Sequence, residues 1–178
     1  MKWADRLKTG PLGPRTRTCY VTVDGTDFRI AEPLPFSKKW YSHKFKQAGV
    51  QYEVAVCIQI GEIVWTNGPF AAGKWPNLKI FKSKLLGMLA PGEMVETDNG
   101  YPNPACRMPP QVISKQDSRA RALARARHEC INKKFKQWGC MKHPFRHALW
   151  KHKYCFDAIV VITQLAIRNG ELPFHVNY

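Results

Sequence analysis

The sequence predicts an α/β domain with a mixed central sheet flanked by helices. Three strand-like runs follow one another early in the chain, at residues 19–23, 50–59 and 62–66, and their order favours antiparallel pairing. A helix-prone segment, residues 77–89, then precedes a fourth run at residues 93–97. Because a βαβ crossover joins parallel strands, we expect the fourth strand to lie parallel to an earlier one.

Shorter segments complete this outline. Ile60 and Gly61 are predicted as the turn of a hairpin. Residues 67–76 are dense in glycine, proline and asparagine, which predicts a loop, and residues 32–47 are expected to form an excursion on one side of the sheet. Residues 1–18 are polar and basic and are interpreted as an N-terminal connector, which leaves residues 19–178 as the folded domain.

Two long helices are predicted towards the C-terminus, after a short β-prone run at residues 111–114. Residues 118–138 carry an apolar stripe at spacings of three and four: Ala124, His128, Ile131, Phe135 and Trp138. Residues 154–168 are apolar nearly all round, which predicts a helix buried against the sheet.

Composition favours a polyanionic partner. The chain has 178 residues and is 44% apolar, enough for one domain with a real core. Its 28 Lys and Arg residues against 13 Asp and Glu give a net charge of +15, which favours nucleic acid through neutralisation of phosphates. The longest apolar stretch, residues 156–167, is shorter than a bilayer span of roughly 20 residues, so no membrane partner is expected.

Three carboxylates in an acid-poor chain are the candidate catalytic groups. Asp24 follows the first apolar run and Asp98 follows the fourth, so both are expected at strand ends beside a shared crevice. Glu129 lies within a basic helical segment, where Arg125, Lys133 and Lys136 share its face.

Oxygen ligands of this kind suit hard divalent cations. Two Mg²⁺ or Mn²⁺ ions, roughly 4 Å apart, activate the attacking oxygen and relieve charge on the leaving oxygen in phosphodiester cleavage. The sequence therefore predicts Asp24, Asp98 and Glu129 as both metal ligands and catalytic residues of a two-metal site.

Each carboxylate also has an ordinary interpretation. Asp24 precedes glycine and Asp98 precedes Asn-Gly, so either can be a turn residue, and Asp27 competes with Asp24 for the same role. Glu129 can be an exposed helical residue paired with Arg125 and Lys133, which is worth only a few tenths of a kcal/mol.

The six cysteines include no Cys-x-x-Cys pair and are interpreted as reduced intracellular thiols. A zinc site formed by Cys130, Cys140, His143 and His147 is the less favoured alternative.

The basic residues between Lys115 and Lys153 are predicted to face DNA. With the lysines and histidine near residue 44, the predicted DNA contacts are Arg121, Arg125, Lys133, Lys136, His43, Lys44 and Lys46. A solvated basic face is the alternative. Trp65 and Trp75 could stack on unpaired bases, whereas Trp138 is expected in the core.

Several motifs together resemble a known family. These are Val-Asp-Gly-Thr-Asp-Phe, Tyr-Ser-His-Lys-Phe-Lys, Asn-Gly-Pro-Phe-Ala-Ala-Gly-Lys-Trp-Pro-Asn, Thr-Asp-Asn-Gly-Tyr and Ala-Arg-Ala-Arg-His-Glu-Cys. They resemble the catalytic domain of DDE transposases of the Harbinger-like endonuclease group, over roughly residues 20–168. The resemblance implies an RNase H-like fold over the predicted domain and a catalytic triad of Asp24, Asp98 and Glu129.

The resemblance also implies a function and its setting. We expect metal-dependent cleavage and strand transfer of double-stranded DNA in the nucleus, with possible homo-oligomers. Two positions depart from the family pattern, Ala122 for a tyrosine and Asn77 for an aspartate. Residues 1–18 are too few for a sequence-reading helix-turn-helix, so we expect either a longer natural chain or a separate DNA-binding partner. The alternatives are a domesticated relative that binds DNA without cutting it, and a structural adaptor for RNA or chromatin.

Overall fold

The computed structural model describes residues 2–7, 18–109 and 114–176. These residues contain one mixed sheet of six strands and four α-helices. The strands are β1 Thr18–Arg29, β2 Tyr41–Ser42, β3 Gln47–Cys57, β4 Ile63–Ala71, β5 Glu93–Glu96 and β6 Cys106–Arg107. The helices are α1 Asn77–Ser83, α2 Lys115–Phe135, α3 Gly139–Lys142 and α4 Leu149–Arg168.

Strand β1 lies in the middle of the sheet. It pairs antiparallel with β3 on one side and parallel with β5 on the other, and β5 pairs parallel with β6. Strands β2 and β4 both pair antiparallel with the far edge of β3. The predicted α/β class is therefore confirmed, with the antiparallel strands β1, β3 and β4 followed by the parallel strand β5.

Strand β1 is longer than the sequence predicted. Gly25 and Thr26, predicted as a turn, continue the strand and pair with Glu53 and Tyr52 of β3. The strand persists because an unbroken ladder from Val21 to Arg29 supplies backbone hydrogen bonds that outweigh the local turn preference of Asp-Gly. Asp24 is consequently inside a strand and not at its end.

Strand β4 also extends into a predicted loop. Residues 67–71 pair with β3, across a register shift between Gln51 and Glu53. Pro69 is tolerated there because β4 lies at the edge of the sheet, where a residue without an N–H need not break the ladder.

Helix α2 begins at Lys115, where the side chain of Ser114 accepts a hydrogen bond of 3.1 Å from the Asp117 N–H. It ends at Phe135, so Trp138 lies beyond the helix, and its 42% exposure shows that the core placement was wrong. Of the β-prone run at residues 111–114, residues 111–113 lie outside the described residues.

Helix α4 contradicts the prediction that it is buried all round. His152, Phe156 and Ile159 are buried on the face that covers the sheet. The opposite face is exposed, and Leu165 on that face is 53% accessible. This outer face also includes Trp150 and Tyr154, whose rings contact each other edge-on.

The sheet has a hydrophobic core on each face. On one side Phe28 and Tyr52 pack with Phe156, whose ring stacks on Tyr52 at a centroid distance of 3.9 Å, and helices α2 and α4 close this layer. On the other side Phe81 of α1 and Tyr101 pack on β1, β3 and β5. Side chains of β1 alternate between the two layers, and the face that carries Thr22 and Phe28 meets α2 and α4.

Part of the predicted N-terminal connector packs onto the domain. Residues Trp3–Leu7 form a 3-10 helix, in which Arg6 makes a buried ion pair of 2.7 Å with Glu93. The Trp3 ring lies edge-on to Trp65 at 6.2 Å. This stretch of the predicted connector therefore contacts the domain, and residues 8–17 lie outside the described residues. None of the described helices is both long and apolar enough to span a bilayer.

Candidate active site

The three predicted carboxylates line one cavity of about 60 Å³, although they are far apart in sequence. Strand β1 contributes Asp24, the loop after β5 contributes Asp98, and α2 contributes Glu129. The other lining residues are Thr22, Val23, Glu96, Thr97, Arg125 and His128. The same three carboxylates also border a wider groove of about 430 Å³ that is lined by Ser42, His43 and Lys44, among others.

Asp24 lies where β1 loses its parallel neighbour. The last β1 residue paired with β5 is Thr22, opposite Glu96, so the β5 side of the strand is open at Asp24. Its carboxylate accepts hydrogen bonds from the Gly25 N–H at 2.7 Å and from the Asn132 amide at 3.1 Å. Burial, together with the charges of Asp98 and Glu129, raises the pKa of Asp24 to about 7.

Asp98 and Glu129 approach Asp24 from two other elements. Asp98 follows β5 directly, and its Oδ1 accepts a 2.8 Å hydrogen bond from the Gly100 N–H, which fixes the loop. Glu129 is exposed on α2 and faces the cavity. Two of the three acids are therefore open to solvent, while Asp24 forms the half-buried floor.

Asn77 is a site residue whose role the sequence did not predict, because an asparagine before a helix suggests a cap. It is instead the first residue of α1, and its amide packs against Gly25 and Gly100, the glycines near Asp24 and Asp98. Gln51 donates a hydrogen bond to the Asn77 amide oxygen. A Cβ on Gly25 would collide with both amides, so a larger residue there would displace the side chains of Asn77 and Gln51.

Glu96 forms a buried ion pair beneath the cavity. Arg121 donates through Nε at 2.9 Å and Arg125 through Nη1 at 2.7 Å. Arg121 is completely buried and also donates to the Met108 carbonyl, so it cannot reach DNA from this position and the predicted contact is corrected. Arg125 remains 29% exposed and lines the cavity.

His128 is buried beside the cavity and is held neutral. Its Nδ1 lies 2.7 Å from the Thr22 hydroxyl. Burial and then the charge of Arg127 lower the pKa of His128 to about 3. This contact with Thr22, at 2 % exposure of the ring, packs α2 on the sheet.

Of the remaining predicted DNA contacts, His43 and Lys44 line the wider groove. Lys46, between β2 and β3, and Lys133, on α2, are exposed but are not among the residues that line it. Lys136, at the end of α2, is partly buried, and its pKa is lowered by burial and then by the charge of Lys44. Lys136 and Lys44 are therefore close enough for their charges to repel each other.

Two further buried ionisable residues, Glu53 and Tyr101, lie near the site. Glu53 of β3 is inaccessible to solvent, and its Oε2 accepts a 3.0 Å hydrogen bond from the Trp65 indole. Burial raises the pKa of Glu53 to about 7. Tyr101 is also fully buried, and burial followed by the charges of Asp24 and Glu53 raises its pKa well above the usual range.

The donor set fits divalent cations only partly. Within residues 2–7, 18–109 and 114–176, no three His, Cys, Asp or Glu side chains are arranged so that they could hold a metal ion as they stand. This includes the alternative zinc set, and all six cysteines are free. The pKa of Asp24 is nevertheless raised first by burial and then by the charges of Asp98 and Glu129, and a bound cation would offset both effects.

Comparisons of this chain with protein-family models, curated proteins and solved structures find no match. The family resemblance therefore rests on the sequence motifs, and the site rests on its geometry.

Proposed function

We propose that this chain is a DDE-type transposase or endonuclease catalytic domain, which cleaves and transfers DNA strands with Mg²⁺ or Mn²⁺ in the nucleus. One observation carries the proposal: Asp24, Asp98 and Glu129, from three separate elements, line a single cavity. The mixed sheet with helices on both faces is compatible with the RNase H-like fold that the motifs imply.

In this proposal the three carboxylates would hold the cations. When bound, the cations supply an activated oxygen nucleophile and charge relief on the leaving oxygen. Asn77 positions strand β1 near Asp24 and the loop that carries Asp98, because its amide contacts the glycine near each. Asn132 orients Asp24 by donating to its carboxylate.

The wider groove is proposed to bind the DNA backbone. Lys44 and His43 line it, and Lys136 lies within electrostatic reach of Asp24 and Glu129. Lysines bind phosphates as compact charges, so they can hold the scissile strand against the acidic cavity. Arg125 also lines the cavity, and its side chain is 29% exposed although it is paired with Glu96.

A domesticated DNA-binding relative without nuclease activity is the second candidate. It is favoured by the lack, among the described residues, of three side chains already arranged around a metal position. The two candidates share the basic groove and differ in whether the carboxylates bind cations.

Cleavage of supercoiled plasmid separates the candidates. We expect the purified chain to nick plasmid with Mn²⁺, and Asp98→Asn to abolish nicking while salt-sensitive DNA binding persists. Asp157→Asn is the matched control, because Asp157 lies on α4 and pairs only with Lys153 in the described contacts. Undiminished nicking by Asp24→Asn, Asp98→Asn and Glu129→Gln would refute the catalytic assignment. Binding without nicking by the unmodified chain, even on pre-nicked DNA, would favour the domesticated relative.

A further inference from the structure

One stretch of the chain has no acidic residue and carries several unpaired cations. Residues 130–156 contain seven Lys or Arg side chains and no Asp or Glu. Among them, Lys142, Arg146 and Lys151 are exposed and form no ion pair within the described part of the chain. Two exposed histidines lie in the same stretch. A surface with this charge attracts a polyanion.

Two aromatic rings are exposed beside these cations. Trp150 is 64% and Tyr154 is 67% accessible, and their rings meet edge-on at a centroid distance of 5.8 Å. They are four residues apart, so both project from one face of the first two turns of α4. The Lys151 ammonium lies 5.4 Å from the centre of the Trp150 ring. Exposed rings interleaved with cations are the arrangement that binds unpaired bases, because every base has a π face and is linked to a phosphate.

A cavity of about 400 Å³ lies in the segment just before α4. Its volume is within the range of small-ligand sites, roughly 300–1,000 Å³. The cavity is lined by Cys140, His143, Pro144, Phe145, Arg146 and His147. The Arg146 guanidinium can hold a phosphate through two parallel hydrogen bonds, and the two imidazoles offer donors and acceptors to the edge of a base. The cavity therefore suits one nucleotide of a strand.

This segment is fixed to the sheet. The Phe145 N–H donates to the Arg29 carbonyl and the Ala31 N–H donates to the Phe145 carbonyl, both at 2.9 Å. Phe145 is buried, and its ring packs on the buried His152 at a centroid distance of 4.9 Å. A ligand therefore meets a surface that is already ordered, which lowers the entropic cost of binding. Arg29 ends β1 five residues after Asp24, so the segment is anchored roughly 17 Å along the strand from that carboxylate.

We propose that residues 142–154 bind single-stranded DNA, as a surface separate from the groove proposed for the duplex. These residues line neither that groove nor the carboxylate cavity. Unpaired bases stack on Trp150 and Tyr154, while Arg146 and Lys151 contact phosphates. A duplex keeps its bases stacked on each other and offers these rings no free base. The choice of DNA rests on the proposed function, because cutting one strand frees an end that can leave the duplex. The choice of a single strand rests on the residues alone.

Fluorescence anisotropy in EDTA, which withholds the cations needed for the proposed cleavage, tests single-strand binding. With a labelled oligothymidylate of about 16 nucleotides, Trp150→Ala and Tyr154→Ala should each weaken binding about tenfold. Tyr154→Phe should bind as the unmodified chain does, because it retains the stacking face. Val161→Ala is the matched control, since Val161 is 53% exposed on the same helix but lies beyond the segment, and it should leave binding unchanged. Duplex binding should stay the same in all four variants, and far-ultraviolet circular dichroism establishes that they are folded.

Salt titration tests the phosphate contacts. Arg146→Ala should lower the slope of log binding constant against log salt concentration by about 0.7 on the single strand, which is the value for one phosphate. Lys84→Ala removes an exposed cation beside α1 and should leave the slope unchanged. Equal slopes for the Arg146 variant and the unmodified chain would contradict the proposal.

Other occupants of the surface give different results. Unchanged oligothymidylate binding by the Trp150→Ala and Tyr154→Ala variants overturns the proposal, and so does an equal loss of duplex binding. Tighter binding of oligouridylate than of oligothymidylate overturns the choice of DNA. Flotation of the chain with phosphatidylserine vesicles that is lost in the Trp150→Ala variant assigns the rings to a lipid surface and also overturns it. A chain that binds the single strand and nicks no plasmid supports this surface and contradicts the proposed nuclease, whereas nicking without single-strand binding does the opposite.

Discussion

At the residue scale, Asp24 is the carboxylate of the site whose ionised form is disfavoured by burial and by two neighbouring acids. Its carboxylate is half-buried between β1 and α2 and faces two further acids, with Asn132 as its side-chain donor. Asn132 Oδ1 has no hydrogen-bond partner in the described structure, so its amide can rotate to serve a neutral residue at position 24.

Replacing Asp24 should stabilise the metal-free protein. Asp24→Asn removes a carboxylate that burial and two neighbouring acids disfavour, and we expect a gain of about 1–3 kcal/mol in EDTA near pH 8. Mn²⁺ should raise the melting temperature of the unmodified chain and leave that of the variant unchanged. Thermal melts with and without Mn²⁺ measure both effects. An unmodified chain indifferent to Mn²⁺ would contradict the metal assignment.

Glu53 predicts a stability change with pH. Its pKa rises from an ordinary value of 4.5 to about 7 in the folded protein, so the folded state binds more protons than the unfolded state between these values. Its stabilising contribution is complete below pH 4.5 and is lost as the pH rises to 7.

Glu53→Gln should remove that loss while the new amide oxygen still accepts from the Trp65 indole. Urea denaturation at pH 5 and pH 8 should show the variant gaining, relative to the unmodified chain, roughly 1–3 kcal/mol more at the higher pH. His128 and His152, whose buried rings have lowered pKa values, contribute an opposite slope in both proteins, so it cancels in the comparison. An equal difference at both pH values would show that Glu53 is ionised in the folded chain.

At the element scale, α2 connects the site to the core. One side of this helix carries Ile131 and Phe135 into the hydrophobic layer, and another presents Glu129 to the cavity. Its start is set by Ser114, which caps a helix whose next turns carry Arg121 and Arg125 into the pair with Glu96.

Loss of the Ser114 cap should weaken the fold modestly. Ser114→Ala removes the acceptor for the Asp117 N–H, and we expect a loss of about 1 kcal/mol in the free energy of unfolding. Urea titration monitored by circular dichroism measures it. Ser114→Asp should retain nearly all of the stability, because aspartate caps equally well, and a matching loss in both variants would argue against capping.

Sequence patterns predicted which helices and strands are present better than they predicted the residues at which these begin and end. The hydrophobic runs of β3 and β5 were clear because both strands are buried, and the stripe of α2 followed the helical period. The strand at Gly25 and the strand at Pro69 were missed because pairing with β3 overrode local turn chemistry. The contacts that Asn77 and Asn132 make in the site were not predicted, for different reasons. Asn132 lies three residues after Glu129 on one helix, a signal that periodicity contains, whereas Asn77 meets the site only through tertiary packing.

At the scale of the whole molecule, charge is distributed unevenly. The acidic cavity and the wider groove share Asp24, Asp98 and Glu129. Lys44 lines the groove, and Lys136 lies close by, immediately after α2. A DNA phosphate bound in the groove would lie between these two lysines and the three carboxylates.

Replacing Lys44 should therefore change how DNA binding depends on salt concentration. Lys44→Ala should lower the slope of log binding constant against log salt concentration by about one, since one phosphate contact is lost. Fluorescence anisotropy with a labelled duplex measures the slope, and Lys84→Ala serves as a control, because Lys84 is exposed beside α1 and lines neither described cavity near the carboxylates. Equal slopes for the Lys44 variant and the unmodified chain would remove Lys44 from the interface.

The strands at the rims of the sheet are poor templates for adding a neighbour. Strand β6 has only two residues, and β4 is interrupted by a register shift and carries Pro69, so neither rim offers a long row of free N–H and C=O groups. Backbone recruitment between molecules, the usual route from an α/β domain to fibrils or tangled aggregates, is thereby discouraged. Copies of this chain concentrated on a polyanion are therefore expected to stay dispersed, or to associate with one another through side chains.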